Sequence, residues 1–190
     1  MKQEAGVQDS MTRRGVLSGA ATAGALAGAA PFSLAAAADA QPAPRPPRTE
    51  WIYDAVVLLQ KEIPHGQTIR GKRFRVPIIG GDFSGPSIRG KIIPGGFDWQ
   101  LLRSDGYWEI QAEYFMETHD GAQIHVLNRG LWHSPNGDWP ADYNISTPQF
   151  EAPDGPYAWM NQFIFTGTIG PAGTAEAPGV KLSIFRLTTG

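Results

Sequence analysis

From residue 107 to 118 the chain alternates between two kinds of position. Trp108, Ile110, Ala112, Tyr114 and Met116 fall on one side, while Glu109, Gln111, Glu113 and Glu117 share the other with Tyr107 and Phe115. A period of two marks a β-strand, here with one buried and one wet face. Ser104-Asp105-Gly106 precedes this run and His119-Asp120-Gly121 follows it. Asp-Gly suits a two-residue hairpin turn, whose backbone must reach positive φ. Shorter patterns predict strands over 51–59, 72–79, 87–93, 97–103, 123–133, 144–151, 161–168 and 180–187. Gly80-Gly81, Gly95-Gly96, Asn136-Gly137 and the stretch 170–179 separate them. Beyond residue 48 no window holds apolar residues at helical spacing for three turns. An unbroken series of about eight or nine strands with short turns has to hide its edges. A single meandering antiparallel β-barrel does so by closing on itself, and a sandwich is the competing all-β architecture.

The residues ahead of the first strand read differently. Met11-Thr12-Arg13-Arg14-Gly15-Val16-Leu17-Ser18 places an arginine pair before a weakly apolar stretch rich in Ala and Gly, and Ala38-Asp39-Ala40 has the small-x-small form that a signal peptidase cuts. That apolar run is short against the ~20 residues of a bilayer span. Residues 1–40 are therefore expected to be a twin-arginine export signal, with no membrane span once it is removed and a periplasmic or secreted product. Pro42, Pro44, Pro46 and Pro47 make 41–49 a stiff, extended linker, which leaves 50–190 for the barrel domain. Chemistry that draws on a diffusing pool of ATP or NAD is not expected in that compartment.

Composition removes several function classes. Sixteen Lys and Arg against eighteen Asp and Glu give a net charge of −2, so no basic field exists to draw in nucleic acid. The chain has no cysteine, which excludes disulfides, thiolate metal sites and cysteine nucleophiles together. Of its histidines, His125 and His133 stand on one predicted strand, about 27 Å apart if it is straight, and His119 falls in a turn. No metal site is expected. Phe83-Ser84-Gly85 lacks the Gly-x-Ser-x-Gly elbow of a serine hydrolase. The glycines of 80–90 open no helix that would cradle a phosphate, and no cofactor is expected.

Five short motifs occur in order: Gly95-Gly96-Phe97-Asp98-Trp99-Gln100-Leu101, Thr118-His119-Asp120-Gly121-Ala122, Asn128-Arg129-Gly130, Thr147-Pro148-Gln149-Phe150-Glu151 and Tyr157-Ala158-Trp159-Met160-Asn161. Together they resemble a family of small bacterial barrels, domain of unknown function 3237, over roughly residues 50–188. The resemblance implies a single-domain β-barrel, often a homo-oligomer, without an agreed activity or cofactor. Two positions depart from the family pattern. Glu113-Tyr114 stands where the family tends to have Arg-Tyr, and Ile145 where an Arg often stands. The loss of two cations implies a pocket unsuited to an anionic ligand.

Two carboxylates within these motifs carry the chemical expectation. Asp98 lies between Phe97 and Trp99, and Glu151 follows Phe150. A carboxylate turned into an aromatic-lined lumen is desolvated, which raises its pKa and makes it a usable general base or acid. Tyr114 shares the buried face with Trp108 and would supply a hydroxyl. Asn128 and Asn161 would offer neutral dipoles, and Trp159 a flat wall for a ring. The competing reading has Asp98 and Glu151 binding backbone amides at strand ends and holding the barrel together.

The expected function is that of a cofactor-independent lyase or isomerase acting on a hydroxylated aromatic small molecule, such as a phenolic dimer. Proton abstraction or retro-aldol loss of a small aldehyde would use Asp98 or Glu151 with Tyr114. A non-catalytic barrel that binds an aromatic or apolar ligand is the alternative, and assembly through barrel oligomerisation a third.

Overall fold

The computed structural model describes residues 44–174 and 177–189; the expected export signal lies outside them. The strands are β1 (Arg48–Leu59), β2 (Ile63–Thr68), β3 (Gly71–Ser84), β4 (Arg89–Ile92), β5 (Phe97–Leu102), β6 (Trp108–Thr118), β7 (Gln123–His133), β8 (Tyr143–Glu151), β9 (Phe165–Gly173) and β10 (Pro178–Thr188). One 3-10 turn, Ala158–Gln162, is the only helical element among the described residues. The last two residues of the expected linker belong to β1, where Arg48 and Thr49 pair with Thr188 and Leu187.

The sheet closes. β1 pairs with β10 on one side and β3 on the other, and β10-β9-β8-β7-β6 follow as antiparallel neighbours. β4 and β5 each pair with both β3 and β6, so they fill successive lengths of one place in a ring of about eight strands. Closure removes the free edges of a sandwich. β2 continues along the edge of β3 that β1 occupies, from Ile63↔Arg75 to Thr68↔Gly71.

Several local expectations are corrected. β3 does not stop at Gly80-Gly81 but runs through it, with a bulge at Ile79, where the register steps from Leu58↔Gly80 to Leu59↔Ile78. Ile78 and Phe83 consequently both face the core, a spacing that strict alternation forbids. Gly81, two residues on, lets β3 close onto β1, since it sits at φ 138 and a Cβ there would lie 2.1 Å from the Val56 carbonyl oxygen. β9 begins at Phe165, not at 161, because 158–162 is taken up by the 3-10 turn. The Asp-Gly turns are longer than two residues. Thr118 N–H donates to the Ala122 carbonyl across His119-Asp120-Gly121, and Arg103 N–H to the Tyr107 carbonyl across Ser104-Asp105-Gly106. Each closes on a glycine at positive φ, the geometry of a three-residue hairpin loop.

Large side chains plug one part of the barrel. Tyr53 meets Phe83 edge-on at 5.6 Å, and Phe150 meets Phe165 at 4.8 Å, with Met116, Ile124, Val126 and Ile184 between them. The remaining interior is hollow.

Candidate functional site

The hollow measures about 410 Å³, within the range of small-molecule sites. Strand pairing shows how its polar wall is built. Asp98 of β5 pairs with Ala112 of β6, which pairs with Asn128 of β7. Asp98 and Asn128 thus face inward on one rung, roughly 10 Å apart across two strand spacings, with only a methyl group between. Tyr114 stands two residues along β6 on the plugged side. Towards the other side, Trp108 pairs directly with Trp132. Trp139, from the loop after β7, meets Trp132 edge-on at 5.5 Å. Val57, Leu59, Ile78, Ile169, Val180 and Leu182 supply an aliphatic wall.

Asp98 is 8% exposed and in no ion pair among the described residues. Gln100 Nε2 donates to its Oδ2 at 2.6 Å and the Gln111 backbone N–H to its Oδ1 at 3.2 Å. Burial outweighs both hydrogen bonds and pushes its pKa up from 3.8 to about 6. A carboxylate has about four acceptor positions, so two donors leave it able to take a proton. Tyr114 is also buried; desolvation first, then the neighbouring Asp98 charge, push its pKa well up, which keeps it a protonated donor. Gly96 lets β5 approach it, since a Cβ there would lie 2.5 Å from Tyr114 Cβ. Asn128 is buried and lines the cavity with an Oδ1 that has no partner.

Four of the seven expected site residues, Asp98, Tyr114, Asn128 and Trp108, therefore line one cavity. The other three lie elsewhere. Glu151 points outward, its side chain 87% exposed and 4.0 Å from His125 Nδ1, because inward Phe150 forces its neighbour to the other face. Trp159 packs on the plug, 6.1 Å from Phe165, with the Arg186 guanidinium 5.6 Å from its ring. Asn161 clips the backbone of Ala152, accepting from its N–H and donating to its carbonyl, both at 2.8 Å. Glu113 faces outward to His125 Nε2 at 3.1 Å, and neither it nor Ile145 lines the cavity. The family departures at these two positions consequently do not set its charge.

Sequence reasoning passed over Gln100, Glu62 and Asp138, and it counted Trp132 and Trp139 only within a set of six tryptophans of which a few were expected to line a cleft; all five line the hollow. Alternation places Gln100 on the face of Asp98 and Trp132 on that of Asn128; the other three lie outside the regular strands and carry no such signal. Among the described residues no three His, Asp or Glu side chains gather as a metal ion needs, and no helix is long and apolar enough to cross a membrane.

Residues 47–187 match the family model described as "Protein of unknown function (DUF3237)". A UPF0311 protein of Clostridium acetobutylicum is 35% identical over 128 residues, covering 61% of this chain and 81% of that one. A crystal structure of a protein of unknown function from the same organism superposes with a TM-score of 0.69 at 31% identity, over 74% of this chain and 99% of the other. A "beta-barrel like protein" from Acinetobacter baumannii gives 0.67 at 32% identity, over 76% and 98%. A protein described as an enzyme from Penicillium herquei gives 0.61 at 23% identity, over 76% and 97%, a likeness of fold alone.

Proposed function

Since the chain belongs to the DUF3237 family of proteins of unknown function, an activity must be sought in its cavity, and we propose that it is a cofactor-independent lyase or isomerase for a hydroxylated aromatic small molecule. The observation that carries this reading is Asp98, a buried carboxyl in an aromatic-walled hollow with a pKa near 6 and no cationic partner. Such a group is ionised at neutral pH yet basic enough to accept a proton from substrate. In an isomerisation, the Asp98 carboxylate takes the proton from a carbon beside a carbonyl, and the Tyr114 hydroxyl hydrogen-bonds the developing enolate oxygen. The carboxyl then returns the proton to the neighbouring carbon. In a retro-aldol cleavage Asp98 takes the β-hydroxyl proton, the carbon–carbon bond breaks, a small aldehyde leaves, and the residual carbanion is protonated. Trp108 and Trp132, side by side on one wall, offer π-faces to the ring. The kindred fold described as an enzyme in Penicillium herquei is compatible with catalysis.

Incubation with a panel of phenolic dimers, followed by mass spectrometry, tests the proposal. New masses are expected with the native protein and at least about a hundred-fold slower turnover with Asp98→Asn, within the span ascribed to a general base. Undiminished turnover in the variant would clear Asp98 of the role.

A binding barrel is favoured by one observation: each Asp98 oxygen already accepts one hydrogen bond. It predicts ligands that bind tightly and are recovered unchanged.

A further inference from the structure

Every ionisable side chain on the cavity wall other than Tyr114 is a carboxylic acid. Glu62, Asp98 and Asp138 line it, with no Lys, Arg or His among the lining residues. None of the three takes part in an ion pair among the described residues. Their burial differs: Asp98 is deep, while Glu62 and Asp138 line the same space and are exposed to solvent, which puts them at the mouth. Asp138 is held by its own turn, its Oδ1 accepting from Trp139 N–H at 2.7 Å. A ligand must therefore pass two carboxylates to reach a third.

The wall also states what it lacks. Asn128 is 4% exposed, and its Oδ1 is an acceptor without a donor; a buried acceptor in that condition calls for an O–H or N–H from whatever occupies the hollow. Trp132 Nε1, four residues along β7, is a buried donor without an acceptor. Trp108, Trp132 and Trp139 add π-faces, which attract cations as well as rings. A carboxylate ligand, even one whose phenol hydroxyl answers Asn128, would bring a like charge towards Asp98 at low effective dielectric.

We propose that the cavity is a charge filter, in which Glu62 and Asp138 at the mouth and Asn128 within select hydroxylated arenes that are neutral or cationic and turn arene carboxylates away. This rests on the cavity being the ligand site proposed above, but not on any turnover there.

Three probes with one ring and one tail length separate the charges: 3-(4-hydroxyphenyl)propanol, 3-(4-hydroxyphenyl)propylamine and 3-(4-hydroxyphenyl)propanoate. Binding to the full barrel is read at pH 8 and low salt by quenching of tryptophan fluorescence. The alcohol and amine are expected to bind, and the propanoate at least about ten-fold more weakly. In the double variant Glu62→Gln, Asp138→Asn, whose sites are exposed and near-isosteric, the gap should narrow at least about three-fold. Equal affinity for the propanoate and the alcohol, an unchanged gap in the variant, or no binding of any probe overturns the filter. Charge discrimination without conversion of any phenolic dimer would uphold the filter while defeating the catalytic reading. Conversion of neutral and carboxylate dimers at equal efficiency would do the reverse.

Discussion

Asp98→Asn should make the barrel more stable at neutral pH while silencing it. The carboxyl titrates at 3.8 when unfolded and at about 6 in the fold, so the native state holds the proton more tightly. The corresponding stability is fully present below about pH 3.8, is lost as pH rises through 6, and stays lost above. A gap of about two units at 1.36 kcal/mol each makes the ionised carboxylate cost the fold about 3 kcal/mol at pH 8. Asparagine carries no charge and still accepts from Gln111 N–H, but it gives up the Gln100 hydrogen bond at 2.6 Å, worth about 1 kcal/mol. The net gain is about 2 kcal/mol, or roughly 4–8 °C in Tm for a domain of this size. Thermal unfolding of native and variant protein between pH 4 and 8, followed by tryptophan fluorescence, reads this out. The advantage of the variant should be absent at pH 4, open between pH 4 and 6, and level off. A variant less stable than the native protein at pH 8, or a difference that ignores pH, would show Asp98 to be a structural stitch and refute the argument.

Other substitutions separate the site from its scaffold. Glu151→Gln, on the outer face, should leave turnover of phenolic dimers unchanged and shift unfolding by no more than about 0.5 kcal/mol; a collapse of turnover would place a catalytic group outside the cavity. Asn161→Ala removes both hydrogen bonds to Ala152 and should lower stability by about 2 kcal/mol in urea unfolding, with ligand affinity at pH 8 preserved in the folded fraction. Gly81→Ala forces a Cβ to within 2.1 Å of the Val56 carbonyl at φ 138. It should lower Tm by more than any of these, or abolish soluble expression, whereas a normal Tm would mean that the β1–β3 seam is not closed as described.

Much of the barrel was legible because period-two alternation survives wherever a strand has one wet face. β7 was expected at 123–133 and is found at Gln123–His133, and the inward row Trp108, Ile110, Ala112 and Tyr114 lines the hollow. β2 was invisible because Ile63–Thr68 is exposed throughout, which leaves no buried face to impose a pattern. The two carboxylates show the limit for the site. Asp98 and Glu151 both neighbour an aromatic residue, yet Phe150 is a core residue that turns Glu151 outward. Phe97 and Trp99 instead lie on the outer face beneath the Arg75 guanidinium, 4.7 Å and 6.0 Å from it, which turns Asp98 inward. An aromatic neighbour marks a buried face only once it is known which face is buried. Asn161 was expected to open a strand, but it lies in a 3-10 turn that ties it to the Ala152 backbone and sets Trp159 on the plug, both away from the hollow.

The protonation of Asp98 can be observed directly. Carbon-13 NMR of protein labelled at the aspartate carboxyl carbons, with Asp98→Asn identifying the resonance, follows this one group from pH 3 to 9. A midpoint near 6, displaced when 3-(4-hydroxyphenyl)propanol is added, is the predicted result. A midpoint near 3.8 that takes no notice of the probe would leave the cavity without a working base and contradict the proposed chemistry.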